Sequence, residues 1–420
     1  MSLDVSVIRE QFPALNKKAI YLDNPAGTQV AQSVLDRMMT YLRDYNANHA
    51  GAFKTSRLSD AVIDETRRAM ADFINASRPE EIVFGPNMTS LTFNLSRTIG
   101  RWFKAGDEIV VTHLDHDANI TPWVMMAEEH ECKVRWVEFH RDDGTLNIEN
   151  LEAVLAEKPR LVAVGYASNA LGTINPVAKI TQMAKEAGAL VFIDAVQYAP
   201  HGPIDVQELD CDFLVCSAYK FFGPHVGILY GKYDLLNGLE AYKVRPAPIY
   251  PPGKFETGTQ NFEGIAGVLG AIEYLEWVGT VYGEGYADKY GKHFHGRKLY
   301  LKQAMAAIRA YEYELGRALL ENLEETPGVT VHGLRDVRRI EERVPTFSFT
   351  VKGKHPQQLA KALDKDGIYV WDGNYYALSV TQWLGLEESG GMVRVGPVHY
   401  NTEKEIQQFG DALRRLTLDI

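Results

Sequence analysis

Short hydrophobic segments alternate along the chain with amphipathic helical patterns. Four of the segments are almost continuously apolar, which is typical of strands buried on both faces of a parallel sheet. They are residues 108–112, 160–165, 190–194 and 212–216. Residues 177–187 place apolar side chains on one helical face and stop before Gly188, which is a common helix end. This alternation predicts an α/β fold with a mostly parallel sheet covered by helices.

The pattern changes in the last third of the chain. Residues 282–323 are rich in Tyr, Lys, Arg, Glu and Ala and predict one long helix with a glycine-rich entry that bridges two domains. The elements after it are a strand at 346–351, a helix at 357–363, a strand at 368–371 and a closing helix that starts with the capping box Thr402–Glu405 and buries Ile406, Phe409, Leu413 and Leu416. We expect a large domain at residues 16–280 and a smaller α+β domain at residues 281–420, which includes residues 1–15.

Composition restricts the possible partners. Of the 420 residues, 45% are hydrophobic and 24% are charged, as in ordinary soluble proteins. The formal charge of −11 disfavours nucleic acid and anionic membranes and favours a small molecule. Cys132, Cys211 and Cys216 are too few for a disulfide framework or a zinc site, so no metal is predicted. With no leader pattern and no segment of bilayer-spanning length, we expect a cytoplasmic protein.

Two chemically distinctive residues follow neighbouring hydrophobic segments. Asp194 ends one segment, and Lys220 comes shortly after the next. Ligands of open α/β sheets bind beyond the carboxyl ends of the strands, where both side chains are expected. There a lysine can tether the aldehyde of pyridoxal 5'-phosphate (PLP), and a carboxylate can keep its pyridine nitrogen protonated. The pair predicts a PLP-dependent enzyme.

Other candidate residues follow the same logic. His116 comes just after a predicted strand, where its imidazole can stack on the pyridine ring and pass protons. Met88 and Thr89 lie at a predicted helix start, whose N–H groups and dipole suit a phosphate. Ser217 and Thr259 are further hydroxyl candidates for the phosphate. Each residue taken alone could have a purely structural role, as a helix cap, a turn residue or a solvated charge. Because all of them occur in order at the ends of predicted strands, a cofactor site is favoured.

Nearly the whole chain resembles the class V aminotransferase family of fold-type I PLP-dependent enzymes, and within it the cysteine desulfurase-like branch. The matching segments are residues 21–26, 115–120, 168–173, 194–197, 217–220 and 256–259, and Arg394 with residues 400–402. The resemblance implies that Lys220 carries the cofactor and that Asp194 binds the pyridine nitrogen. It also implies that Gln197 and Asn169 approach the ring hydroxyl and that His116 stacks on the ring.

The resemblance further implies a homodimer with shared active sites. Thr89, Ser217 and Thr259 of the partner subunit would hold the phosphate. Arg394 would bind the α-carboxylate of an amino-acid substrate through bidentate hydrogen bonds from its guanidinium. Tyr219 stands where the family usually has a histidine, and its hydroxyl either reaches the phosphate or its ring only packs.

The chain departs from true desulfurases in the loop ahead of Arg394. Desulfurases carry a cysteine there that attacks the substrate sulfur, whereas residues 371–382 of this chain contain none. Tyr376 takes its place, and the hydroxyl of Ser379 cannot form a persulfide. Cys211 and Cys216 are expected to pack in the core. Lys54 and Arg57 are expected on a solvated face or a domain contact, with a substrate role as the alternative.

The leading hypothesis is PLP-dependent β-elimination that cleaves the C–S bond of a cysteine-type amino acid without a persulfide. Removal of the Cα proton by Lys220 also begins transamination and epimerisation, so an aminotransferase or an amino-acid epimerase stays an alternative. A PLP-binding scaffold without turnover is the alternative from a different class, although a scaffold needs neither Lys220 nor Arg394.

Overall fold

The computed structural model describes residues 3–418. Its strands are β1 (Ile20–Tyr21), β2 (Ile82–Gly85), β3 (Glu108–Thr112), β4 (Lys133–Val137), β5 (Leu161–Gly165), β6 (Leu190–Asp194), β7 (Phe213–Ser217), β8 (Gly227–Gly231), β9 (Val329–His332), β10 (Phe347–Val351), β11 (Ile368–Tyr369), β12 (Trp371–Gly373) and β13 (Met392–Val395). Its α-helices are α1 (Val5–Glu10), α2 (Gln32–Thr40), α3 (Lys54–Ile74), α4 (Met88–Gly100), α5 (Thr121–Glu129), α6 (Ile148–Leu155), α7 (Val177–Glu186), α8 (Val206–Leu209), α9 (Tyr233–Gly238), α10 (Phe262–Tyr282), α11 (Ala287–Tyr290), α12 (Gly296–Glu324), α13 (Pro356–Lys365), α14 (Leu378–Trp383) and α15 (Glu403–Thr417).

The larger sheet has seven strands in the order β2-β8-β7-β6-β5-β3-β4. All run parallel except β8, which is antiparallel to both of its neighbours. The four apolar segments recognised in the sequence are β3, β5, β6 and β7, with ends that agree within one residue. Every residue of β5 and β7 is buried. The predicted mostly parallel sheet is confirmed.

Helices cover both faces of this sheet. Along β3, Ile109 and Val111 pack in a core with α4 and α5, whereas Val110 faces a second core with α3, α7 and α10. Side chains alternate across a strand, so continuous burial requires cover on both sides. Burying each such aliphatic side chain contributes about 1.5–3 kcal/mol. These cores fix the strand ends that carry the polar residues described below.

A smaller antiparallel sheet, in the order β12-β13-β10-β9, follows in the C-terminal part of the chain. Apolar side chains of α12, α13 and α15 pack on it. The predicted capping box is present, because the Thr402 hydroxyl accepts a hydrogen bond from Glu405 N at 3.1 Å and the Glu405 carboxylate accepts one from Thr402 N at 3.0 Å. The smaller α+β part of the fold is therefore confirmed, while the predicted domain boundaries stay predictions.

The boundaries of two predicted elements in this region differ in the structure. The long helix predicted within residues 282–323 begins at Gly296, because α10 ends at Tyr282 and a 3₁₀ turn and the short helix α11 separate α10 from α12. The two helices approach closely at Gly279, where a Cβ would lie 1.9 Å from the carbonyl oxygen of Tyr300. The strand expected at 368–371 is divided, since β11 pairs with β1 and β12 pairs with β13.

Within residues 3–418, no helix combines the length and the apolar character that crossing a bilayer requires.

Candidate active site

The predicted site residues meet at the carboxyl edge of the large sheet. Asp194 is the last residue of β6, and Lys220 lies in a short 3₁₀ turn directly after β7. β6 and β7 are parallel neighbours in which Asp194 aligns with Val215. The turns after β3 and β5 bring His116 and Asn169 to the same edge. Parallel strands explain why residues far apart in sequence come together here.

A cavity with about 470 Å³ of space lies at this edge. Eight of the predicted cofactor residues line it, and the other lining residues come from the same strand ends. Its walls are formed by Met88, Thr89, Asp115, His116, Gly165, Ala167, Asn169, Asp194, Val196, Gln197, Tyr219 and Lys220.

Burial sets the protonation of the two central residues. Desolvation, with a smaller contribution from the nearby Arg394 charge, lowers the pKa of Lys220 to about 7. Its ammonium group donates to the carbonyl oxygen of Pro25. Desolvation raises the pKa of Asp194 to about 6, although the hydrogen bond from Val196 N to Oδ1 at 2.9 Å and the Lys220 charge act in the opposite direction. Near neutral pH, Lys220 is thus available as a neutral amine and Asp194 as a carboxylate.

One end of the cavity is formed by the first turn of α4. Asn87 caps this helix by accepting a hydrogen bond from Ser90 N at 2.8 Å, so the predicted helix start at Met88 is confirmed. Ser217, at the end of β7, accepts a hydrogen bond from Met88 N at 3.1 Å. Thr89 also faces the cavity. A helix start with backbone N–H groups, nearby hydroxyls and the positive end of the helix dipole can receive an anionic group such as a phosphate.

His116 is held as a neutral imidazole. Its Nδ1 accepts a hydrogen bond from Ala118 N at 3.0 Å. Desolvation, followed by the charges of Lys220 and Arg394, lowers its pKa to about 3. A neutral ring fixed at Nδ1 suits stacking against a flat heterocycle and leaves Nε2 for proton transfer.

Arg394 lies on β13, in the smaller sheet, beside the cavity rather than among its lining residues. Its Nη1 donates to the backbone oxygen of Asn169 at 2.9 Å, which fixes the guanidinium next to the site. The guanidinium carbon lies 4.5 Å from the ring centroid of Tyr375. Burial lowers the pKa of Arg394.

Several buried polar atoms around the cavity have no partner within the described residues: Asp23 Oδ1, Asn169 Oδ1, Gln197 Oε1 and Arg394 Nε. A buried polar atom without a partner costs about 1–3 kcal/mol, so a polar ligand that bonds to these atoms would be favoured. Gln197 Nε2 donates to the Thr346 hydroxyl at 3.0 Å, and turning the amide would instead present its NH₂ to the cavity. With Lys220, Asp194 and the α4 terminus, these residues fit PLP and an amino acid.

Two carboxylates of the site were missed by the sequence reasoning. Asp115 lines the cavity, where its oxygens accept hydrogen bonds from Gly165 N and Asn119 Nδ2, both at 2.9 Å. Desolvation raises the pKa of Asp115 to about 7 and that of Asp23 to about 6, the latter opposed by Arg394 and Lys220. Both residues lie in segments that resemble the family, and this resemblance could have identified them. Their burial depends on tertiary packing, which the local sequence does not report.

Some predicted residues lie outside the cavity. Thr259 is exposed on the surface of the described chain, so its phosphate role stays a prediction that depends on a partner subunit. Lys54 and Arg57 are also exposed, and the Arg57 guanidinium donates to the carbonyl oxygen of Ala52, so a substrate role for either residue stays a prediction. The ring of Tyr219 stacks on that of His225 at 5.0 Å, so packing is observed while its contact with phosphate stays a prediction.

The cysteines and the loop before Arg394 agree with the sequence analysis. Cys211 and Cys216 are fully buried, as expected for core residues. Burial raises the pKa of the Cys211 thiol to about 12 and also that of Cys216. In the loop, Tyr376 is 74% exposed, and the Ser379 hydroxyl lies 2.6 Å from His113 Nδ1.

Comparison with known proteins places this arrangement in a family. The model of the family "Aminotransferase class-V" matches residues 20–297 and 294–409. A cysteine desulfurase of Pectobacterium atrosepticum is 33% identical over 99% of this chain and 98% of its own length. "Aminotransferase-like protein FGM3" of Gibberella zeae is 34% identical over 98% of each chain.

A solved structure confirms the fold. The apo structure of the cysteine desulfurase from Thermococcus onnurineus NA1 superposes with a TM-score of 0.87 at 29% identity and covers 100% of this chain and 99% of that one. The fold-type I architecture inferred from the sequence is therefore confirmed. The chain belongs to the class-V aminotransferase family, whose members are PLP-dependent enzymes.

Proposed function

We propose that this chain binds PLP through Lys220 and cleaves the C–S bond of a cysteine-type amino acid by β-elimination. The observation that carries the proposal is the buried amine of Lys220, with a pKa of about 7, in one cavity with Asp194. When bound, PLP supplies the electron sink for the charge left at the substrate Cα. The chain supplies the base for the Cα proton, the negative charge beside the pyridine nitrogen and the group that binds the substrate carboxylate.

The residues divide these tasks. With PLP and an amino acid bound, Lys220 would take the Cα proton as a neutral amine. Asp194, ionised above about pH 6, would hold a proton on the pyridine nitrogen. The Nε of Arg394, which has no hydrogen-bond partner among residues 3–418, would bind the α-carboxylate of the substrate. The neutral imidazole of His116 would stack on the ring of bound PLP.

The absence of a cysteine in residues 371–382 supports elimination rather than direct desulfuration. Direct transfer of sulfur needs a thiolate close to the substrate, and the buried Cys211 and Cys216 are unavailable. Without an acceptor, the C–S electron pair leaves with sulfur as a thiol or sulfide. The product, 2-aminoacrylate, takes up one water to give pyruvate and ammonia.

The test uses the PLP-loaded protein with cysteine and several S-substituted cysteines. We expect pyruvate, ammonia and the matching thiol or sulfide in equal amounts, with rates that saturate as the amino acid concentration rises. Alanine as the product from cysteine would show direct desulfuration instead. Failure to release either pyruvate or sulfide from any of these compounds would contradict the proposal.

The relative named as an aminotransferase-like protein favours transamination as the second candidate. The same residues serve this reaction, because it also starts with loss of the Cα proton. Conversion of the cofactor absorbance to the pyridoxamine form on adding an amino acid would identify transamination. Incorporation of solvent deuterium into an otherwise unchanged amino acid would identify epimerisation.

We also propose a homodimer whose partner subunit contributes Thr259 to the phosphate site. Large apolar side chains are exposed on α2 and in residues 242–250, including Met39, Val244 and Ile249 at 61%, 68% and 64%. Exposed apolar surface of this kind marks protein interfaces. The proposal predicts a mass in solution of twice 47.1 kDa.

The interface can be tested with a charge substitution. Ile249→Asp is expected to shift the mass toward the monomer and to weaken PLP binding, because it would remove the partner's hydroxyl from the site. Leu418→Asp is the matched control, since Leu418 is 75% exposed near the end of the chain, and this variant should keep the mass of the parent protein. A monomeric parent protein that binds PLP normally would contradict the dimer proposal.

A further inference from the structure

The loop that lacks the cysteine contains two consecutive tyrosines in an unusual backbone conformation. Tyr375 has a φ of 55° and Tyr376 a φ of 60°. Bulky residues rarely occupy this left-handed region, and each such residue persists only where its surroundings fix the conformation. The backbone of this loop is therefore held by specific contacts.

Those contacts come from segments that line the cavity. The carbonyl oxygen of Tyr375 accepts a hydrogen bond from Asn169 Nδ2 at 2.9 Å. The carbonyl oxygen of Tyr376 accepts one from the backbone N–H of Asp117 at 2.6 Å. Within the loop, Tyr376 N donates to Asn374 Oδ1 at 3.1 Å. The loop is thus attached at two points to the residues expected around the cofactor.

The two tyrosine rings each reach a different residue of the site. The buried ring of Tyr375 lies under the guanidinium of Arg394 at 4.5 Å. The ring of Tyr376 is nearly parallel to the His116 imidazole, with centroids 5.6 Å apart and an interplanar angle of 17°. Because Tyr376 is 74% exposed, its contact with His116 contributes little to the hydrophobic core. The strained backbone is consistent with a functional placement of this ring.

We infer that Tyr376 is a positioning residue that stacks behind His116 and holds the imidazole flat against the cofactor ring. This inference rests on the proposed function, because it assigns the cofactor to the other face of the imidazole. Tyr375 supports Arg394 through its ring in the same loop. The segment that carries a nucleophile in desulfurases thus serves in this chain to orient two binding residues.

Loss of the aromatic pair between Tyr376 and His116 should weaken cofactor binding moderately. An aromatic pair contributes beyond its buried area, and losing that contribution corresponds to roughly 2–10-fold in affinity. A less ordered imidazole also weakens the asymmetric environment of the cofactor, which visible circular dichroism reports. Neither readout requires turnover. The phenol hydroxyl takes no part in the stack, so the ring alone should be sufficient.

The test compares Tyr376→Leu with Tyr376→Phe in the PLP-loaded protein. Tyr376→Leu removes the aromatic ring, so we expect a several-fold higher dissociation constant for PLP and a smaller visible circular dichroism signal. The reaction rate at saturating substrate should fall more than KM changes. Tyr376→Phe keeps the ring and should retain PLP affinity within about twofold. Tyr300→Ala, at a half-exposed tyrosine of α12 outside the site, is the control for a general loss of stability.

The outcomes separate this inference from the proposed function. If Tyr376→Leu and Tyr376→Phe bind PLP equally well and give the same circular dichroism, the positioning role is wrong even when the parent protein is active. If the parent protein binds no PLP at all, both the inference and the proposed function are wrong. A loss that Tyr300→Ala shares with Tyr376→Leu would also overturn the inference, because it would indicate unfolding rather than stacking.

Discussion

Replacing Lys220 with alanine is expected to abolish both the covalent attachment of PLP and catalysis. The variant lacks the amine that tethers the cofactor and takes the Cα proton, so the turnover rate should fall by on the order of 10⁴-fold or more. The absorbance of the tethered cofactor should be lost at the same time. Both effects are measured on one sample, by visible absorption and by pyruvate release.

Lys254 offers a matched control for this substitution. It is also a buried lysine, and its ammonium group donates to the carbonyl oxygens of Asn237 and Leu239 at 2.8 Å, away from the cavity. Lys254→Ala should keep the tethered cofactor and most of the activity, after correction for the folded fraction. Retention of turnover by Lys220→Ala would contradict the assignment.

The stability of the cofactor-free protein should respond to the same substitution. The pKa of Lys220 is about 7 in the folded state against 10.5 ordinarily, so between these pH values the unfolded chain binds more protons. The free energy of unfolding of the parent protein should therefore rise with pH in this window relative to that of Lys220→Ala. A difference between the two proteins that is independent of pH from 7 to 10 would argue against a neutral buried amine.

Replacing Asp194 with asparagine is expected to have the second largest effect. The substitution keeps the shape of the side chain but removes the negative charge that holds a proton on the pyridine nitrogen. A close ion pair in a partly screened site is worth about 4 kcal/mol, which corresponds to roughly 10³-fold in rate. We expect the turnover rate to fall by about this factor while the cofactor stays attached to Lys220.

Asp212 provides the control for Asp194. It is buried directly before β7, at the opposite edge of the sheet, and its Oδ2 accepts a hydrogen bond from Val191 N at 2.8 Å. Asp212→Asn should lower stability without changing the turnover rate of the folded protein. A turnover rate of Asp194→Asn within threefold of the parent protein would show that its charge is unimportant.

The sequence predicted the strands that carry the site because their signal is local. β3, β5, β6 and β7 are continuously apolar and end at polar or small residues, so each boundary could be placed within one residue. The positions of Asp194 and Lys220 followed from these boundaries. The capping box at Thr402 was equally local, since its hydrogen bonds join residues three positions apart.

The features that sequence could not predict depend on distant partners. The division between α10 and α12 reflects the close approach of Gly279 to Tyr300, which helical propensity does not report. β11 and β12 join different sheets although they are separated by one residue. The burial of Asp23 and Asp115 is set by tertiary packing, and tyrosines rather than glycines take the left-handed conformation at positions 375 and 376.

The central claim is that Lys220 covalently binds PLP, and borohydride reduction of the PLP-loaded protein tests it most directly. Reduction makes the link between the cofactor and its lysine permanent, so peptide mass spectrometry locates it. At pH 7, where the lowered pKa leaves about half of this amine neutral, we expect one labelled peptide that contains Lys220. A label on another lysine such as Lys254 or Lys302, or no label at all, would contradict the account.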